Sequence, residues 1–85
     1  MKIVFSKHAL KDKFVLLKKH NFHLNKADIM VVIRNPDHLD QESDYPKIIA
    51  SKNFDNKHII RVVYKTEHGI IKIITFYPAE KGRYY

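Results

Sequence analysis

The spacing of apolar residues changes character along the chain. Residues 2–5 (KIVF) read as a short strand. Leu10, Phe14 and Leu17 then fall at i, i+4, i+7, the stripe of an amphipathic helix. Ser6 stands at the N-cap, where its hydroxyl can accept from an orphan backbone N–H. Phe5 and Leu10 occupy the hydrophobic-staple positions around that cap. Lys7, Lys11 and Lys18 fall largely to the flanks, and the helix is expected to end near His20–Asn21. A second helix follows the same grammar. Asn25 is its cap, Leu24 and Ile29 its staple, and Asp28 lies in the first turn, where the helix dipole favours an anion. Ile29, Val32 and Ile33 form its apolar face, and Asn35–Pro36 stops it.

Beyond residue 45 the period shortens. PKIIASKNF (46–54), KHIIRVVYK (57–65) and IIKIITFY (70–77) are dense in Ile, Val and Tyr and joined by short polar links. They predict three strands in antiparallel hairpins, the last ending at Pro78. DHLDQESDYP (37–46) reads as an acidic loop with room for one brief extended piece. The order is β-α-α-β-β-β. It predicts an α+β fold with two helices packed on one face of an antiparallel sheet. At 85 residues, with no repeat or linker, the chain is expected to form one domain spanning 1–85.

Alternation along the strands separates two faces. One carries Ile60, Val62, Tyr64, Ile71, Ile73, Thr75 and Tyr77. With a hairpin loop of two or four residues the other carries Arg61, Lys65 and Lys72 among apolar neighbours, and a three-residue loop would flip this. The uncharged face then lies under the helices. The mixed face has two readings: an open sheet surface whose cations snorkel into water, or a shallow groove in which cations hold phosphates and apolar or aromatic side chains contact bases.

Composition sharpens the second reading. The net charge is +7 and uneven: +6 over residues 1–26, −4 over 27–46 and +5 over 47–85. A basic balance favours a polyanion such as nucleic acid, though a soluble basic protein has it too. The chain has no cysteine, so disulfides and thiolate metal sites are excluded. MKIVFSKHALKDK contains no long apolar run, so neither a signal peptide nor a membrane span is expected, and a cytoplasmic location is inferred.

The chemistry on offer needs only His, Lys, Arg and Tyr. There is no P-loop or Gly-rich phosphate cradle, and His20/His23 straddle a helix end with no third ligand, so neither metal nor cofactor is expected. RNA cleavage without a metal is such a reaction. The 2′-OH attacks the adjacent phosphate, a base takes its proton, cations stabilise the charge, and an acid protonates the leaving oxygen. His8, on the first helical turn, is the candidate acid or base. Arg61 and Arg83 are the candidates for the scissile phosphate, with Lys72, Lys81 and Tyr77 assisting. The tail KGRYY, freed to turn at Gly82, either folds back to complete a phosphate-binding face or packs its tyrosines on the sheet edge.

SKHAL opening a helix, a second helix ending in IRNPD, then IIRVVYK, IKIITFYP and KGRYY resemble the small bacterial and archaeal proteins of domain-of-unknown-function family 4258. Such proteins usually keep the positions of His8, Asn35–Pro36 and Lys81–Tyr85. This chain has KKHNFHLN where they often have an Arg-Gly turn. The family is similar in size and element order to the RelE/ParE and BrnT-like toxins of toxin–antitoxin pairs. The resemblance therefore implies a ribonuclease toxin acting on messenger RNA, often on the ribosome, and neutralised by an antitoxin protein over the basic groove. Two other classes stay open: a non-catalytic nucleic-acid- or protein-binding module, and a ParE-like gyrase poison.

Overall fold

A computed structural model describes residues 2–82 of the chain. Strand β1 (Lys2–Phe5) leads into the first helix, which opens as a π-helical segment, Ala9–Lys13, and continues as α1, Phe14–Lys19. Helix α2 (Lys26–Arg34) follows, then β2 (His38–Asp40), β3 (Ile48–Asn53), β4 (His58–Glu67) and β5 (Ile70–Glu80). The five strands form one sheet in the order β1-β5-β4-β3-β2. The architecture is α+β as expected, with two differences. The acidic loop contributes a strand of its own, paired antiparallel to β3. The sheet is mixed, because β1 lies parallel to β5 and closes its far edge. That parallel pairing joins the two ends of the chain, so no local pattern announces it.

Both helices pack on one side of the sheet. Ala9 and Leu17 from the first helix and Ile29, Val32 and Ile33 from α2 meet Ala50, Ile60, Val62, Tyr64, Ile73 and Phe76 in one core. Burial raises the Tyr64 phenol above its usual range. Helix α2 forms as its sequence predicts. The Asn25 side chain accepts from the Asp28 N–H and the Asp28 carboxylate accepts from the Asn25 N–H, both at 2.9 Å, a reciprocal capping box.

The first helix departs from its expected register. Ser6 Oγ does accept from the Ala9 N–H at 3.1 Å, but the wider π turn brings Ala9, not Leu10, into the core. Leu10 is exposed, and Phe5 packs instead on Phe14, with ring centroids 6.0 Å apart.

Strand β5 carries the second departure. Val62 faces Phe76 and Val63 faces Thr75, but Tyr64 faces Ile73, so Ile74 is a bulge. Ser6 Oγ donates to the Ile74 carbonyl at 3.1 Å, tying the helix start to the bulge. The extra residue reverses the parity of everything after it. Phe76, expected on the charged face, lies buried under the helices, with its ring 4.7 Å from that of Phe14. Thr75 and Tyr77, expected under the helices, turn to the opposite face. Nor does Pro78 end the strand, which runs on to Glu80. Strand β1 pairs only as far as Ile73, so β5 is an edge strand at Pro78, where a missing N–H costs no ladder bond on the open side.

The candidate site on the sheet face away from the helices

The face away from the helices is set by strand register. The β4–β5 hairpin turns on His68 and Gly69, both at positive φ (52° and 76°), the geometry of a tight two-residue connection. A loop of two puts Lys65 directly opposite Lys72 and leaves Arg61, Lys65 and Lys72 on one face, as the alternation predicts. Val4 of β1 pairs with Lys72, and Lys2 with Ile70, so Lys2 joins the same face.

Arg61 is at the centre of this face, and it is buried there. It lies opposite Tyr77 on β5 and opposite Ser51 on β3. Its Nε donates to the Tyr77 hydroxyl at 3.0 Å, and its guanidinium carbon lies 5.8 Å from the centre of the tyrosine ring. Only 7% of Arg61 is exposed, so its charge is held largely out of water. Ile59 and Val63, on either side along β4, are buried on the same face. Ser51 is fully buried, and its hydroxyl has no hydrogen-bond partner among the described residues, an arrangement that costs about 1–3 kcal/mol. On the far side of Ser51 lies His38 of β2. Side chains of four strands therefore stand in one transverse row: His38, Ser51, Arg61, Tyr77.

A second cluster sits toward the hairpin. Lys65 Nζ is 2.9 Å and Lys72 Nζ 3.3 Å from the Glu67 carboxylate. Hydrogen bonds from Lys65 and then Lys72 hold Glu67 below the usual carboxylate range. One carboxylate between two lysines leaves the cluster net positive. Arg61 and Lys65 are four residues apart on β4, about 13 Å at ~3.3 Å per residue. The cations thus form a track across the face rather than a single pocket.

The six residues singled out in the sequence are divided by the structure. Arg61 and Tyr77 touch, and Lys72 shares their face. Tyr77 reaches it only because of the Ile74 bulge. His8 does not join them. It stands exposed on the helical side of the sheet, with Nδ1 3.5 Å from Asp12. Lys81 lies in the turn beyond the far end of β5, where its N–H donates to the Lys57 carbonyl. Arg83, with Tyr84 and Tyr85, lies outside the described residues. His38 and Ser51 were not legible as site residues. Each is an ordinary polar residue in its own segment, and only the β2–β3–β4 register aligns it with Arg61.

A shallow groove of about 540 Å³ opens between the two helices, lined by Leu10, Phe14, Val15 and Leu24 together with Lys18 and Lys26. It does not include Arg61 or Tyr77. Among the described residues no three His, Asp or Glu side chains gather where one ion could be held. No helix among them is long and apolar enough to cross a membrane. Comparison with protein-family models, curated proteins and solved structures finds no match to this chain.

Proposed function

We propose that the chain is a RelE/BrnT-like toxin that cleaves messenger RNA without a metal and is held in check by an antitoxin protein. The observation that carries this reading is the Arg61–Tyr77 pair, set in an apolar sheet face that also carries Lys2, Lys65 and Lys72 farther along it. A guanidinium offers a planar fork to phosphate oxygens, and the phenol beside it can exchange a proton with an oxygen of the same phosphate. The lysines, spread along the face, suit successive backbone phosphates. The element order departs from the expected β-α-α-β-β-β by the added strand β2, and only the coarser α+β arrangement of two helices on one sheet is consistent with a RelE-like likeness. Fold likeness does not fix chemistry, so the reading rests on the site.

The test is induced expression in a bacterial host of wild type, Tyr77→Phe and Arg61→Ala, following growth and messenger RNA integrity. Tyr77→Phe keeps the ring and removes only the hydroxyl. Growth arrest with broken RNA in wild type, weakened in Tyr77→Phe and absent in a folded Arg61→Ala, supports the reading. Intact RNA under folded wild-type protein counts against it. The same face can also bind without cutting, because Ile49, Ile59 and Val63 give it an apolar floor. Nucleic-acid binding that weakens steeply with salt, with no cleavage, favours that module. DNA damage with intact RNA favours a gyrase poison.

A further inference from the structure

We propose that the groove between the two helices is a docking site for an acidic amphipathic helix of a partner protein. The groove includes neither Arg61 nor Tyr77, so the proposal does not depend on the ribonuclease reading.

The groove is apolar, and water reaches it. Leu10, Phe14 and Val15 of the first helix form one wall, and Leu24, in the link before α2, lies across from them. Val15 is 53% exposed and Leu10 40%. Leu10 is there because the π turn carries Ala9 into the core in its place. Apolar side chains scattered singly over a surface need no explanation, but a cluster of them lining a hollow marks a contact surface. Leu24 also lines a smaller groove of about 170 Å³ between α2 and β3, together with Val31 and Phe54. The two hollows adjoin there, which gives the apolar surface length as well as depth.

Charge narrows the choice of occupant. Lys18 and Lys26 stand at the rim of the larger groove. The ion pairs formed among the described residues use none of Lys7, Lys11, Lys13, Lys18, Lys19 and Lys26. Lys26 Nζ instead lies 5.8 Å from the centre of the Phe5 ring. The acids of this segment are engaged elsewhere, Asp12 beside His8 and Asp28 in the cap of α2. An apolar floor under an unpaired basic rim complements a segment that is apolar on one side and acidic on its flanks. The segment is a helix because the walls are helices, whose backbone groups bond internally. An extended strand would find no ladder to join, whereas a helix presents anchors at i, i+3 or i+4 and i+7 to such a groove.

The other polyanions fit less well. Residues 1–26 contain no Arg. The aromatic ring lining the groove, that of Phe14, is packed against those of Phe5 and Phe76. Nucleic acid would meet cations for its phosphates but no platform for its bases. A lipid surface takes apolar groups that project into it, and here they line a hollow.

The test uses a fluorescent synthetic peptide of about four helical turns, with Leu at i, i+4 and i+7 and Glu on its flanks. A peptide of the same composition in scrambled order keeps the charge and breaks the stripe. Single-stranded RNA and phosphatidylglycerol vesicles are the rival probes. The proteins are wild type, Val15→Asp and Lys18→Glu, each beside a neighbour that does not line the groove, Leu16→Asp and Lys19→Glu. All five are checked by circular dichroism. The four substituted residues are exposed, so the fold should tolerate each change. Wild type should bind the striped peptide at least about tenfold more tightly than the scrambled one, and the peptide should gain helix on binding. Val15→Asp should weaken binding at least about tenfold. Lys18→Glu should weaken it about three- to tenfold and flatten its salt dependence. Leu16→Asp and Lys19→Glu should stay within about twofold of wild type. Equal binding of the two peptides, binding with no gain of helix, or equal losses in a variant and its neighbour would overturn the proposal. RNA or vesicle binding that Val15→Asp abolishes, with no binding of the striped peptide, would overturn it in favour of that ligand.

Discussion

Deleting Ile74 tests the feature that builds the sheet face away from the helices. The bulge gives β5 one residue more than β4 between the Tyr64–Ile73 and Val63–Thr75 pairs. Removing it joins Ile73 to Thr75 and leaves every later pair in place. Val62 still faces Phe76, and Arg61 still faces Tyr77. The losses are local. Ser6 Oγ gives up its bond to the Ile74 carbonyl, worth about 1 kcal/mol. A half-buried isoleucine side chain goes too, roughly another 1 kcal/mol. The deletion should therefore cost about 2 kcal/mol, out of roughly 4–13 kcal/mol for a chain of this length. In a β5 without a bulge the outcome differs sharply. The same deletion would then shift every later side chain to the wrong face and drive Phe76 from the core. The loss of that aromatic anchor alone costs about 3–5 kcal/mol, so little folded protein would remain. Urea titration followed by far-ultraviolet circular dichroism separates the two. A folded variant with its midpoint lowered by about 1–2 M is expected. An unfolded variant in buffer, or one with no measurable loss, would refute the bulge as the device that turns Tyr77 toward Arg61.

Two further outcomes follow from local structure. Asn25→Ala removes the cap of α2 and half of its reciprocal pair with Asp28. It should cost about 1 kcal/mol and lower Tm by roughly 4–8 °C, read by thermal melting. Asp40 is held down to about 2 from its ordinary 3.8 by hydrogen bonds from the Ser43 and Glu42 backbones. Its folded value lies below its unfolded one, so its contribution to stability is present above pH 4 and is lost as pH falls toward 2. Asp40→Asn should flatten that part of the acid-unfolding curve, and equal steepness in both proteins between pH 4 and 2 would exclude the effect.

Much of the molecule can be read from its residues one segment at a time. Asn25, Asp28 and Pro36 delimit α2 because caps and proline act within a turn or two. Ile29, Val32 and Ile33 mark its buried face for the same local reason. Arg61, Lys65 and Lys72 share a side because alternation is a property of each strand, and a two-residue hairpin carries it across the turn. The tertiary structure decided the rest. The π segment that exchanges Leu10 for Ala9, the parallel seat of β1 against β5 and the strand made from the acidic loop all depend on distant partners. The bulge at Ile74 is the clearest case. Nothing in IIKIITFYP marks one residue as extra. It is settled by Phe76 filling the core against Phe14, while Ser6, 68 positions away in sequence, takes the carbonyl at Ile74. That choice moves Tyr77 from the buried side of the sheet to the side of Arg61, and the register of β2 adds His38 to the same row. The sequence determined which residues are capable of chemistry, and three-dimensional packing decided which of them meet.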